Sequence, residues 1–248
     1  MLSRLGAVAL IAVSFTAKGY GQAVPSAFLQ NLHARSAPAA APQSIELTGA
    51  AEWVAGSLTE HGTADLKAGK DGSSTLQLNL STATRTETFS ALDSSRSCQW
   101  LDGAGKNHPI VGLSCAAATP WFAPNLLATL STQFPSLITV SDDGEVMKKG
   151  VVLHQISYIM NLAGNDAATT KAWTDATRVK VCFDLTTLLP VSLEYAIHPD
   201  SDDSQAIPVS VAFSDYRSVS GVLLPFHIER FVNRTLQLTL VLSNISIS

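Results

Sequence analysis

The sequence predicts a mainly β protein built on a single large, strongly curved antiparallel sheet, with two or three short helices on its concave side. Apolar and polar residues alternate with a period of two over most of the chain, which is typical of half-buried strands. Two stretches, Pro25–Arg35 and Thr119–Phe134, instead space their apolar residues as helices do. A curved sheet accommodates both features. A Greek-key sandwich, the alternative, leaves the middle apolar helix with no obvious place.

The last forty residues, from Ile207 onward, indicate three antiparallel strands joined by two turns. A polar connection that ends at Gly221 makes the first turn, and Asn233-Arg234 makes the second. Apolar residues then occupy even positions through Leu242 and odd positions afterwards. Because a one-residue slip moves side chains to the other face, this change of phase predicts a β-bulge near Ser243-Asn244.

The rest of the chain has the same alternation in shorter pieces. Before the middle helix it predicts strands from Ile45 and over Gly62–Lys67, Leu76–Leu80, Thr84–Phe89 and Cys98–Leu101. After the helix it predicts a turn at Asp142–Glu145 and strands over Val151–Met160, Arg178–Phe183 and Val191–Ile197. Ala163–Asp175 is a polar excursion between strands, and the acidic His198–Gln205 is expected to be an exposed loop.

The N-terminus predicts an exported protein. Arg4 precedes an apolar run, Leu5–Ala17, which is too short to span a bilayer comfortably and suits a secretory signal. Small residues at Gly21 and Ala23 place cleavage between Ala23 and Val24. We therefore expect a signal peptide over residues 1–23, a single domain over 24–248, and a periplasmic or secreted monomer without an integral membrane segment. An uncleaved membrane anchor is the alternative.

Composition argues against nucleic acid as a partner. Charged residues make up only 15% of the chain, and the formal net charge is −4. Loss of Arg4 and Lys18 with the signal would leave 14 basic against 20 acidic residues, a net charge of −6. Such a surface would be repelled by a phosphate backbone.

The three cysteines fit an oxidising compartment. Cys98 and Cys115 flank a segment rich in turn residues, and two short strands joined there would bring their sulfur atoms together. We therefore predict a Cys98–Cys115 disulfide; two buried thiols are the alternative. Cys182 lies within a strand pattern and is expected to be a buried, inert thiol.

No arrangement typical of a catalytic or metal site emerges. The six histidines have no metal-ligand spacing, and the sequence contains neither a C-x-x-C nor a G-x-S-x-G motif. Two acidic runs could offer oxygen ligands to Ca²⁺, but neither has EF-hand spacing, and solvated turns explain them better; they are Asp142, Asp143 and Glu145, and Asp200, Asp202 and Asp203. We therefore expect no enzyme activity, no cofactor and no metal.

Two segments carry a family resemblance. Phe213–Arg217 followed by Gly221–Phe226, and the earlier Asp184–Tyr195, resemble turn motifs of exported bacterial proteins of the LolA/LolB lipoprotein-localisation superfamily. The resemblance implies a half-open β-barrel whose helix-covered concave face can hold acyl chains or an apolar peptide. Pro25–Arg35 and Trp121–Phe134 would then correspond to the helical lids. Within these motifs, Gly221 is expected to supply a positive φ, and Tyr216 and Arg217 to be structural.

One set of apolar residues is the candidate binding surface: Trp53, Trp100, Trp121, Phe122, Leu126, Leu127 and Leu130. The alternative is that these residues fill the concave face as an ordinary core, which is the commoner fate of apolar side chains. The leading hypothesis is an envelope carrier or chaperone that binds a lipid or acylated peptide. The second is a structural or regulatory envelope module that recruits a protein partner through a sheet edge.

Overall fold

The computed structural model describes residues 26–36, 43–93, 96–110, 112–162, 164, 166–199, 202 and 205–248. These residues form the strands β1 Ser44–Ala55, β2 Leu58–Gly69, β3 Ser74–Leu80, β4 Thr84–Phe89, β5 Cys98–Leu101, β6 Asn107–Ile110, β7 Ile138–Lys148, β8 Val151–Met160, β9 Val179–Asp184, β10 Pro190–Ile197, β11 Ile207–Val219, β12 Val222–Val232 and β13 Thr235–Ile247. The helices are α1 Ala27–Ser36, α2 Gly112–Ala116, α3 Asn125–Gln133 and α4 Ala167–Ala176.

All thirteen of these strands belong to one sheet, and each pairs only with antiparallel neighbours. The order across the sheet is β6-β5-β4-β3-β2-β1-β13-β12-β11-β10-β9-β8-β7. The chain starts at the centre, steps outward to the β6 edge, crosses to the β7 edge, and steps back until β13 pairs with β1. β6 and β7 do not pair, so the sheet is open. The predicted single antiparallel sheet is confirmed.

The central pairing contains the predicted bulge. Thr48 pairs with Asn244 and Gly49 with Leu242, which leaves Ser243 as the extra residue on β13. A Cβ on Gly49 would lie 2.3 Å from the carbonyl oxygen of Val241. Glycine therefore allows the two backbones to approach closely opposite the bulge.

The segment that crosses between the edges provides the centre of the core. Leu126, Leu127 and Leu130 of α3 are buried in one cluster with inward residues from both halves of the sheet, such as Leu78 of β3 and Ile156 of β8. Strands so distant in the sheet order can meet one helix only if the sheet wraps around it. This is the concave face that the sequence predicted, and α1 packs there as well through Leu32.

The Cys98–Cys115 disulfide is confirmed, with Cα atoms 5.5 Å apart. The two strands predicted between the cysteines are β5 and β6, but Cys115 itself lies in the short helix α2. Cys182 is a buried free thiol. None of the helices among the described residues is long and apolar enough to cross a bilayer. The predicted signal segment and its cleavage site lie outside those residues.

One turn prediction is wrong, and one segment described only as polar contains a helix. His198, at the start of the segment predicted to be an exposed loop, is buried. The turn expected at Asp142–Glu145 is a bulge inside β7, where the register shifts between Asp142 and Gly144, and the chain turns at Lys149-Gly150 instead. The polar segment after β8 contains α4, which is capped by the Asp166 carboxylate accepting a hydrogen bond from Thr169 N at 2.7 Å. A bulge and a capped helix use the same Asp and Gly residues that mark turns, so local composition misled.

Candidate ligand-binding site on the concave face

Helix α3 presents two different faces to the interior. Leu126, Leu127 and Leu130 point into the core, whereas Asn125, Ala128 and Thr129, at i, i+3 and i+4 spacing, line a cavity. Asn125 Nδ2 donates to the carbonyl oxygen of Leu223 at 3.2 Å, which ties the start of the helix to the β11–β12 turn. The helix therefore forms one wall of an internal space rather than filling it.

This first space, the apolar cavity, has a volume of about 240 Å³. No charged residue lines it among the residues that the structure describes; Asn and Thr are its polar side chains, and Tyr158 adds an aromatic wall. Its remaining walls come from α1, the sheet and two turns, among them Leu32, Ile45, Phe183, Leu188, Leu189 and Val222. Such a surface suits an apolar chain better than a polar ligand.

Helix α1 contributes Leu32 to the wall of this cavity, and side-chain contacts hold the helix against the sheet. The Phe28 ring stacks on the His154 ring with centroids 3.7 Å apart, and it meets Phe183 edge-on at 5.9 Å. His154 Nε2 lies 2.6 Å from Asp142 Oδ1, and the Asp142 carboxylate also accepts a hydrogen bond from Ser26. No strand pairing anchors α1, so it can move without breaking a ladder hydrogen bond.

A second space, the arginine cavity, lies farther back along the crossing segment, beside Ala117–Trp121, and has a volume of about 300 Å³. Buried Phe122 and Ala123 separate it in sequence from the part of the segment that lines the apolar cavity. The Arg230 guanidinium lies over the Trp121 ring, 5.2 Å from its centroid. Other walls come from Glu87, Phe89, Trp100, Ile110, Tyr195 and His198.

Further charged groups lie next to the arginine cavity, at inward-facing positions of β2 and β4. Glu60 is 1% exposed, accepts a hydrogen bond from the Thr82 hydroxyl, and lies 3.7 Å from an Arg85 nitrogen. The Arg85 guanidinium is also 5.3 Å from the centroid of the Trp53 ring. The concave face is therefore amphipathic: apolar around α1 and the start of α3, and charged and aromatic at the other end.

A third opening of about 620 Å³ lies between the two sheet edges. Ile110 and the disulfide lie on one side of it, with Leu137 and Met160 on the other. Arg96 lines this opening and donates from Nη2 to the carbonyl oxygen of Ala118, in the crossing segment, at 2.8 Å. Burial lowers the pKa of Arg96 to about 10. This gap marks where the barrel fails to close.

The predicted binding residues fall into three groups. Phe122, Leu126, Leu127 and Leu130 are at most 4% exposed and belong to the core. Trp53 packs against that core from the charged end. Trp100, which is 37% exposed and stacked on His108, and the buried Trp121 both line the arginine cavity. Their role in ligand binding remains a prediction.

Apart from Trp100 and Trp121, sequence reasoning missed the residues that form the cavity surfaces. Ala128 and Thr129 gave no signal, because a small or polar residue beside buried leucines looks like the solvent face of a helix. Arg230 alternates in phase with Phe226 and Ile228, so its inward position could have been read from the period of β12. The sequence could not show that Trp121 lies next to it.

Several solved structures share this architecture. A putative outer membrane lipoprotein-sorting protein domain from Vibrio parahaemolyticus has a TM-score of 0.53 at 10% identity, covering 89% of this chain and 91% of its own. A DUF1329 family protein from Desulfovibrio piger has a TM-score of 0.53 at 14% identity, with 89% and 92% covered. A LolA superfamily protein from Nitrosomonas europaea has a TM-score of 0.51 at 11% identity, with 89% and 93% covered.

At these identities the comparisons establish the fold. The chain has the open, curved sheet of the LolA superfamily, as the resemblance of Asp184–Tyr195 and Phe213–Phe226 implied. No protein-family model and no curated protein matches the sequence. Since one fold can serve several functions, the function has to be argued from the cavities.

Proposed function

We propose that this protein is a non-enzymatic carrier or chaperone of the cell envelope that binds the apolar chain of a lipid or an acylated peptide. The observation that carries the proposal is the apolar cavity of about 240 Å³ beneath α1 and α3. Burying an acyl chain there would contribute roughly 0.8 kcal/mol per CH₂ group removed from water. The LolA-like fold and the predicted signal peptide support an exported carrier.

We expect α1 to move when a long chain enters. The cavity volume of about 240 Å³ is below the roughly 300–1,000 Å³ typical of ligand pockets, so a long chain needs more space than the closed form offers. α1 is held by the Phe28–His154 stack and the contacts of Ser26 and Leu32 rather than by backbone pairing. Its displacement would open the cavity at a modest energetic cost, and rebinding would cover the ligand.

Displacement of a fluorescent apolar probe, such as N-phenyl-1-naphthylamine, by palmitate tests the proposal. Ala128→Trp should abolish probe binding, because the indole would occupy the cavity that Ala128 lines. Ala172→Trp, at an exposed position of α4, is the matched control and should bind as the wild type does. If neither the wild-type protein nor the control binds the probe, and native mass spectrometry of the periplasmic protein detects no lipid, the carrier function is wrong.

A second function is favoured by the free edge β7. Met147 near the end of this strand is 73% exposed, and Val151 and Val152 across the hairpin are 53% and 42% exposed. Unpaired edge strands with exposed apolar residues can accept a strand from another protein. Co-purification of a partner protein with the wild type but not with Met147→Lys would support this envelope-module function instead. The recovered complex should then contain no bound lipid.

A further inference from the structure

The arginine cavity contains a buried cation that lacks a close anionic partner. Arg230 is 6% exposed, and its Nε–H has no hydrogen-bond partner. Its Nη1 donates to Gln237 Oε1 at 3.3 Å, and the guanidinium also interacts with Tyr195. Among the described residues, no carboxylate lies within the 4.0 Å of an ion pair, and Glu87 acts on Arg230 from farther away. A buried charge in this state is costly unless another group compensates it.

A second polar group in the same cavity is also unsatisfied. Thr119 is 8% exposed, and its hydroxyl has no hydrogen-bond partner although it lines the space beside Arg230. The unpartnered Nε–H of Arg230 and the unpartnered hydroxyl of Thr119 are both buried beside one cavity. Together they indicate a missing ligand more strongly than either group alone. The facing walls are apolar and aromatic, formed by Trp100, Trp121 and Ile197.

We propose that the arginine cavity binds the oxyanion head group of a single-chain amphiphile, with Arg230 and Thr119 as hydrogen-bond donors. A guanidinium presents parallel N–H groups that match the two oxygens of a carboxylate or phosphate. The aromatic walls would contact the carbons next to the head group. Because Glu87 adds a negative charge to the same cavity, a singly charged carboxylate should bind more tightly than a doubly charged phosphate.

The inference rests on the proposed carrier function. Three ligands with the same sixteen-carbon chain test the head-group site separately from that function. Palmitate, hexadecyl phosphate and 1-hexadecanol would each compete with the fluorescent probe on the wild-type protein and on Arg230→Met. We expect the wild type to bind palmitate at least tenfold more tightly than the alcohol, as an added charged hydrogen bond should give. Arg230→Met should remove that preference and leave the affinity for hexadecanol within twofold of wild type.

Arg217→Met is the matched control, because Arg217 is exposed, pairs with Asp215, and does not line the arginine cavity. It should keep the wild-type preference. If Arg230→Met does not fold, Arg230→Lys and the nearly isosteric Thr119→Val replace it, and each should reduce the preference for palmitate several-fold. A phosphate preferred over palmitate would still support an oxyanion site but would identify phosphate as the head group.

Two outcomes distinguish failure of this inference from failure of the carrier function. Equal binding of all three ligands by the wild type, or a preference for anions that survives Arg230→Met and Thr119→Val, overturns the head-group site while the carrier function stands. Ordered water would then be the partner of Arg230 and Thr119. Binding of none of the three ligands would contradict both proposals together.

Discussion

The Tyr216 hydroxyl donates a hydrogen bond to the carbonyl oxygen of Pro190. This contact joins the two turn segments on which the family resemblance rests, Asp184–Tyr195 and Phe213–Phe226, across the β10–β11 part of the sheet. Burial raises the pKa of the Tyr216 hydroxyl, so it remains a donor throughout the physiological range. The motif tyrosine is therefore structural: it fixes the β9–β10 turn against the strand beside it.

Tyr216→Phe should lower the free energy of unfolding by about 1–2 kcal/mol, because the ring still packs but the Pro190 carbonyl loses its partner. Urea denaturation followed by tryptophan fluorescence measures this change. Arg217→Ala should cost less than about 1 kcal/mol, since Arg217 is exposed, although it lies over the Phe226 ring at 4.5 Å. If Arg217→Ala lowered the free energy of unfolding more than Tyr216→Phe did, this ranking of the two motif residues would be wrong.

The same turn should make stability depend on pH through Asp184. Its carboxylate accepts hydrogen bonds from the backbone of Thr187 at 2.7 Å and Thr186 at 3.0 Å, which hold the pKa of Asp184 below its ordinary value. A carboxyl whose pKa is lowered on folding stabilises the protein above its unfolded pKa of about 3.9. That contribution is lost as the pH falls through the folded value.

Asp184→Ala should therefore reduce stability by about 1 kcal/mol at pH 7, and the difference from the wild type should shrink as the pH is lowered below 4. Thermal melts of both proteins between pH 7 and pH 3 measure it. Asp65→Ala, on the exposed side of β2, is the control and should show a smaller difference at pH 7. If the stability difference between Asp184→Ala and the wild type grew as the pH was lowered, the predicted direction of the pH dependence would be wrong.

Gly49→Ala should be far more damaging than Gly56→Ala. An added Cβ at Gly49 meets the Val241 carbonyl oxygen at 2.3 Å, so the central β1–β13 pairing must shift, at a cost of about 3 kcal/mol or more. At Gly56 the added methyl group meets nothing within 4 Å, and only the positive φ of 63° opposes it, at roughly 1–2 kcal/mol. Equal midpoints in urea for the two variants would argue against a steric role for Gly49.

Leu126→Ala and Trp100→Ala should show which of the predicted binding residues belong to the core and which line a cavity. Leu126 is 0% exposed, so its truncation leaves a cavity and should cost about 2–5 kcal/mol. Trp100 is 37% exposed, so its truncation should cost much less in stability and should weaken palmitate binding if the arginine cavity holds ligand. A Trp100→Ala protein with unchanged affinity and strongly reduced stability would place Trp100 with the core instead.

Local alternation was sufficient to predict much of the sheet. β4, β5 and β8 have the bounds that the sequence predicted, and the bulge at Ser243 follows from a change of phase within a single strand. Such features are local, because the side-chain period of a strand is set by its own backbone. Turn chemistry is equally local but less specific, which is why the Asp142–Gly144 bulge resembled a turn.

Only the tertiary structure decided which elements meet. The pairing of β1 with β13 joins residues about two hundred positions apart, and the sequence contains no local signal for it. The same holds for Arg230 of β12, which lies over Trp121 of the crossing segment only because the sheet curves around α3. The apolar pattern shows that a side chain is buried. The cavity it lines depends on how distant apolar faces pack together, and the sequence of each element alone does not specify that.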